Sequence, residues 1–307
     1  MRDVFIEVLT EEVEKNSQII LITGDLGFGV LDNFKEKYPN NFINAGVAEQ
    51  NMTGIAAGMA LEGKIIFTYS IANFPTLRCL EQIRNDVCYH NLKVNIVAIG
   101  GGFSYGALGM SHHATEDIAI MRSLPNLRVI SPSTLGEVKK VTKAIIEKPE
   151  PTYLRLDKSF GLENNKSSLE NFSFGRIYSI KKKTDCTIFV TGGILEEVQN
   201  AVIKLNKKKI KVQVINVHSI KPIDKRGVSH AIKLTRAVIT VEEHSVIGGL
   251  GSTIADIIVD SQFSSKLFLK IGLDDRFSSV VGSQKYLRKI YGMDSDSIFK
   301  KIINLVD

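Results

Sequence analysis

The stretch NAGVAEQNMTGIAAGMALEGKIIFTYS, Asn44 to Ser70, changes its periodicity part-way along. Up to Lys64 it is a glycine-punctuated, largely apolar segment that reads as a helix. KIIFTYS, Lys64 to Ser70, is a short run rich in β-branched and aromatic residues, which reads as a strand. A helix leading straight into a strand is the repeating unit of an α/β fold. One residue is out of character. Glu49 places a carboxylate where the segment turns apolar, and the residues alone leave two readings: a first-turn acid favoured by the helix macrodipole, or a buried acid with a proton-transfer task.

Working outward, IILITGD (19–25), VNIVAIGGG (94–102), LRVISPS (127–133) and TYLRLD (152–157) are further short apolar runs, with amphipathic stretches at Leu77–His90 and Leu135–Glu147 between them. Strands alternating with helices imply a mostly parallel sheet covered on both faces. The stretch from Lys158 to Gly175 is polar, rich in Asn and Ser and aperiodic, so it reads as a linker. The pattern then restarts with CTIFVTGG, KVQVINVHS and AVITVEEH, separated by helical stretches at Leu195–Asn206 and Gly227–Leu234. The expected fold is therefore α/β in two domains, each a mostly parallel sheet flanked by helices: residues 1–160, a linker over 161–174, and residues 175–307. In such folds ligands gather beyond the carboxyl ends of the strands. TGD, IGGG and TGG close strands at Asp25, Gly102 and Gly193, but GxxxxGK[ST] is absent, and so is a helix-opening GxGxxG.

The chain of 307 residues is 44% hydrophobic and 23% charged, the balance of an ordinary folded protein rather than a disordered or fibrous one. Its formal charge of +6 lies partly in scattered lysine runs, Lys181–Lys183 and Lys207–Lys209, with no aromatic residues between them and no Trp anywhere. Nucleic acid is therefore not the expected partner, whereas anionic small ligands suit the balance. Cys79, Cys88 and Cys186 are odd in number and lack CxxC spacing, so neither a disulfide framework nor a metal site is expected. The acidic, amphipathic start and the lack of a long apolar run point to the cytoplasm and away from a membrane.

NAGVAEQNMTGIAAGMALEGK, TYSIANFPTLRCLEQIR and GMSHHATEDIAIMRSLPNLRVISPSTLGE together resemble the pyrimidine-binding domain of transketolase-type thiamine diphosphate enzymes. VINVHSIKPID and VITVEEHSVIGGLGS resemble the C-terminal domain that follows it in that family. The resemblance implies that Glu49 bonds N1' of the cofactor's aminopyrimidine and shifts a proton there, and that Phe74 stacks on the ring. The alternative is that Phe74 is simply core, although Asn73 and Pro75 flank it in a loop context that core phenylalanines seldom need. Asp25 and Leu26 match residues lining the cofactor cleft, though Asp25 could equally be a helix cap, and Ile71 matches a ring-packing position. His112 matches a histidine that meets substrate near the reacting carbon, with catalytic capacity as donor or acid, and His113 beside it is expected to share in binding substrate. Lys158 and Arg2 match cationic contacts to an anionic substrate group. His218 and His244 are expected to serve structure.

The sequence departs from the family in two ways. Sugar-phosphate transketolases usually carry a histidine where Gly100 stands and an aspartate where Leu108 stands, so an unusual sugar is implied. The 307 residues hold no counterpart of the magnesium- and diphosphate-binding domain that precedes this region in full-length transketolases, so a separate chain is expected to supply it. The resemblance thus implies the C-terminal subunit of a split enzyme, transferring two-carbon ketol units with thiamine diphosphate, Mg2+ being held mainly by an N-terminal partner subunit, and self-association to a dimer within a heterotetramer. Three other readings stay open: the β-subunit of a 2-oxo acid dehydrogenase, a deoxyxylulose phosphate synthase-like enzyme and a non-catalytic scaffold.

Overall fold

The computed structural model describes residues 1–158, 172–178, 180, 183–263 and 266–306. Most of the expected linker, residues 159–171, lies outside the described residues. Among the described residues there are eleven strands: β1 (Ile19–Thr23), β2 (Phe42–Asn44), β3 (Ile65–Ile71), β4 (Val94–Ile99), β5 (Arg128–Ile130), β6 (Thr152–Leu156), β7 (Thr184–Thr191), β8 (Val212–Asn216), β9 (Ser219–Lys221), β10 (Thr235–Ser245) and β11 (Leu267–Leu273). They form a seven-stranded sheet, β2-β1-β3-β4-β6-β5-β9, and a four-stranded sheet, β11-β10-β7-β8. Every pairing is parallel except that of β5 with β9.

β1 shows why its strand is apolar throughout. Successive side chains point to opposite faces. Ile19 and Leu21 therefore enter one core with Phe5, Leu9, Val138 and Val141 from the helices Arg2–Val13 and Leu135–Glu147. Ile20 and Ile22 enter another with Met52, Ala56 and Ala60 from the helix Glu49–Leu61. Both faces are covered, so alternation of apolar with polar residues would bury polar groups.

The helix Leu135–Glu147 spans the residues its periodicity indicates. Its start is fixed by Thr134, whose hydroxyl accepts from the Glu137 N–H at 3.2 Å, while Glu137 Oε2 accepts from the Ser133 N–H at 2.8 Å, a variant of the capping box. The stretch Leu77–His90, expected as one helix, is instead two short helices, Phe74–Leu77 and Leu80–Gln82, and a π-helical turn, Ile83–Cys88. Pro75 moves the start back to Phe74, and Cys79 leaves helical geometry at φ −110°, ψ 11°.

The two sheets meet across buried ions. Arg155 Nε donates to Asp117 Oδ2 at 2.7 Å, the Tyr153 hydroxyl donates to the same oxygen at 2.5 Å, and Arg155 Nη2 donates to the carbonyls of Ala114 and Glu243 at 3.0 Å each. Glu243 accepts from Arg288 Nε at 2.5 Å, from Gln284 at 2.9 Å and from the Phe103 N–H at 2.5 Å. This junction explains two of the glycines after β4. A Cβ on Gly101 would lie 2.4 Å from the Arg155 guanidinium carbon, and one on Gly102, at φ +61°, would lie 2.6 Å from Glu243 Cγ. Beside it, Glu242 accepts from the Leu250 and Gly251 N–H groups at 2.7 Å each, capping the helix Leu250–Asp260. His244 Nε2 faces the Ala119 N–H and Nδ1 faces the Ser245 carbonyl, so the Nδ1–H tautomer ties the two domains together.

Candidate functional site

Because β1 to β6 are parallel, their carboxyl ends share one edge of the sheet. The strand order reverses at β1 and β3: the chain leaves β1 toward β2 on one side and β3 toward β4 on the other. A crevice opens at such a switch point. The end of β1 delivers Asp25 and Leu26, β2 runs through Gly46 to Glu49, β3 ends at Ile71 and continues to Phe74, the segment after β4 carries Tyr105, His112 and His113, and β6 leads to Lys158. The residues singled out in the sequence thus come from separate strands to one edge.

Glu49 is the first residue of its helix, so the macrodipole favours its charge, and its side chain is only 5% exposed. Arg78 meets it: Nη1 lies 3.1 Å from both Oε1 and Oε2. The same guanidinium sits over Phe74, with its carbon 4.2 Å from the ring centroid. Arg78 is 51% exposed, so the pair is open to water on the arginine side. Val47, Ala48, Gln50 and Asn51 complete the cleft around these two charges.

Asp25 is a non-glycine residue at φ +57°, a conformation that Asp tolerates better than most. Asn44 holds it there: its Oδ1 accepts from the N–H groups of Asp25 and Gly46 at 3.1 and 3.0 Å, and its Nδ2 donates to Asp25 Oδ1 at 2.8 Å. Leu26 packs against the core on the side of the Arg2–Val13 helix. On the other wall, Asn73 is buried and donates to the carbonyls of His113 and Ser111 at 2.6 and 3.3 Å, which ties the histidine loop to the turn carrying Phe74. The His112 ring meets Phe74 edge-on, 5.2 Å between centroids. Partial burial, together with the charges of His113 and Arg78, lowers the His112 pKa and favours its neutral form. The buried His113 points elsewhere, Nε2 to the Gly106 carbonyl at 3.2 Å and its ring edge-on to Phe103. Of the two histidines, His112 faces the cleft.

Lys158 lies over the ring of Tyr105, Nζ 4.9 Å from its centroid. Tyr105 fills the space beside Gly100, where a Cβ would lie 2.2 Å from its Cε2. Burial pushes the Tyr105 hydroxyl up, and the charge of Arg2 acts in the opposite direction, which places Arg2 within electrostatic reach of the same ring. Leu108 is largely exposed on this rim. Among the described residues no cluster of three or more His, Cys, Asp or Glu could hold a metal ion, and no helix is long and apolar enough to cross a membrane.

Comparison with known proteins bears on the whole arrangement. The family "Transketolase, pyrimidine binding domain" matches residues 1–161, and "Transketolase, C-terminal domain" matches residues 175–298. The chain belongs to the transketolase family. It is 36% identical over 275 residues to an apulose-4-phosphate transketolase subunit of Actinobacillus succinogenes, covering 89% of this chain and 87% of that one. It is 32% identical over 301 residues to the 6-deoxy-6-sulfo-D-fructose transketolase subunit of a Clostridium species, covering 98% and 92%. A solved structure described as "Split gene transketolase, inactive beta4 tetramer" superposes with a TM-score of 0.88 at 33% identity, covering 100% of this chain and 99% of that one. The resemblance carried by the motifs therefore holds across both halves, and the chain is a subunit of a transketolase-like, thiamine diphosphate-dependent transferase.

Sequence reasoning missed Arg78, Asn73, Asn44 and Tyr105. Arg78 follows Phe74 by four residues, the spacing that brings a cation over an aromatic ring on a helical turn. That signal was present in FPTLR, masked by the expectation that a new helix begins at Leu77.

Proposed function

We propose that this chain is the pyrimidine-side subunit of a split transketolase that moves a two-carbon ketol unit between sugars. One observation carries the reading: a nearly buried carboxylate, Glu49, stands at the switch point and meets a nitrogen-bearing group that sits over the Phe74 ring. A guanidinium is amidine-like, and a site that sets one of its nitrogens on a carboxylate and its carbon over an aromatic ring suits a ring nitrogen and the ring face of an aminopyrimidine. Glu49 would hold the ring nitrogen and exchange a proton with it, Phe74 would support the ring face, and Asp25, Leu26 and Ile71 would line the cleft. When bound, thiamine diphosphate supplies a carbon nucleophile that takes up the ketol unit. His112, neutral and beside Phe74, is placed to donate a hydrogen bond to a substrate oxygen.

The diphosphate and Mg2+ are assigned to an N-terminal partner subunit, in a heterotetramer built on a dimer of this chain. The full-length likeness to an inactive beta4 tetramer supports that assignment. Mixing the chain with its partner and measuring ketol transfer tests it: activity should arise in the mixture and in neither chain alone. Turnover by the purified chain alone, or none in the mixture with any ketose donor, overturns the reading.

For the substrate, the names of two relatives specify a phosphate or a sulfo group on the sugar. Here Lys158 and Arg2 beside Tyr105 offer positive charge to such a group, while Gly100 and Leu108 offer no polar side chain. We infer an anionic sugar other than the common pentose phosphates. Steady-state rates with xylulose 5-phosphate and ribose 5-phosphate at about 10⁴ M⁻¹s⁻¹ or above, within the range of ordinary enzymes, would instead make this a conventional transketolase in two pieces.

A further inference from the structure

The contacts of Arg78 lead one step further, resting on the reading of Glu49 and Phe74 as the aminopyrimidine site. Arg78 makes both interactions at once: it shares Nη1 between the two oxygens of Glu49, and it lies against the face of Phe74. An aminopyrimidine entering that site needs the same carboxylate and the same aromatic face. Two planar groups cannot occupy one position. We propose that Arg78 is a placeholder, filling the cofactor's ring position in the unloaded subunit and swinging into solvent as the ring enters.

The asymmetry of the pair makes the exchange feasible. Glu49 is 5% exposed and fixed at a helix N-terminus, whereas Arg78 is 51% exposed and has an open path to water. While the site is empty, the guanidinium keeps a nearly buried carboxylate from standing alone, which is the costly state for such a group. It also covers an aromatic face that would otherwise meet water. The same contacts must be broken on loading, so apparent affinity falls by the fraction of time that the site is open.

Calorimetric titration of thiamine diphosphate, with Mg2+ present, into the complex of this chain with its partner tests the proposal. A half-exposed ion pair and one cation–aromatic contact together hold the site closed by about five- to thirty-fold, so Arg78→Ala should bind more tightly by that factor. Arg78→Lys should fall between, because an ammonium can meet both oxygens as Nη1 does but has no planar, delocalised group to set over the ring. Low-millimolar guanidinium ion should weaken binding to Arg78→Ala and spare the unaltered complex, since only the variant leaves a vacant position to refill. Unchanged or weaker affinity in Arg78→Ala overturns the proposal. If that variant fails to fold, the lysine variant decides by the same sign. An unaltered complex that binds no thiamine diphosphate at all sinks the functional reading itself, a result distinct from equal binding by both forms.

Discussion

Two carboxylate–guanidinium pairs in this chain share their chemistry and differ in their surroundings. Asp117 and Arg155 are 1% and 2% exposed, and the guanidinium also donates through Nη2 to the Ala114 and Glu243 carbonyls. Glu49 is almost as buried, but Arg78 is half in water, and its second contact is an aromatic face. The first pair is closed on every side and joins the two domains. The second has one member that can leave. Burial of the acid is common to both, so it does not mark a functional site; freedom of the base does.

The closed pair should be the more costly to break. Arg155→Ala leaves Asp117 as an uncompensated buried charge and orphans two carbonyls, an expected loss of about 3–5 kcal/mol. Urea unfolding would register it as a large fall in midpoint, or as failure to fold. Glu49→Gln in the open pair should lose about 1 kcal/mol or less. Equal losses at the two sites would erase the distinction between closed and open.

The junction side of the comparison should also be acid-sensitive. His218 is fully buried between Phe172 and Tyr178, and burial pushes its pKa down to about 4. The unfolded chain protonates it near 6.5, so it binds the proton first as pH falls. His218 therefore leaves stability untouched above about pH 6.5 and removes up to about 3 kcal/mol as pH drops toward 4. Glu137 approaches to 4.0 Å, and burial raises its pKa, so its own protonation favours the folded state and opposes this loss. Measured from pH 7 to 4.5, the decline in unfolding free energy should be clearly shallower in His218→Gln. A slope identical to that of the unaltered chain would remove His218 from the account.

Turnover should respond in the reverse order to stability. Glu49→Gln keeps the shape of the open pair but cannot exchange a proton, and in the reconstituted complex kcat should fall at least about a hundredfold, as for a general acid–base group. Retention of near-normal kcat would leave the carboxylate a mere partner of Arg78.

The same contrast explains what could be read in the sequence. The helix Leu135–Glu147 was legible because periodicity and a Thr-x-x-Glu start agree. Most strands were legible because a sheet covered on both faces demands unbroken apolar runs. β9 was not, since three residues carry no period, and its pairing with β5 depends on the second domain folding against the first. β11 was missed because its outer half is an exposed edge, where burial imposes no pattern. In the candidate site, Glu49 and Phe74 stood out through motif resemblance, whereas Tyr105 gained its place only once Gly100 left room for a ring. Arg78 belongs to the same class. A charge that will be half exposed looks in sequence like any other surface charge, and only its partners in space tell the two apart.

Lys158 sharpens the comparison from its weakest end. It is exposed and rests on the face of Tyr105, so like Arg78 it is free to move. A cation of that kind is held loosely and can turn to a ligand at little cost, but water and salt screen what it gains. Lys158→Ala should therefore leave folding and kcat nearly unchanged and raise KM for a phosphate- or sulfonate-bearing sugar by roughly tenfold, the size of one charge-assisted hydrogen bond. The difference from the unaltered complex should shrink as ionic strength rises from about 0.01 to 0.15 M, where the screening length falls from about 30 to 8 Å. A neutral sugar of the same length should show no change. If neutral and anionic sugars lose equally, Lys158 acts by packing on Tyr105 rather than by charge, and the anionic substrate must be met by Arg2 or by the partner subunit.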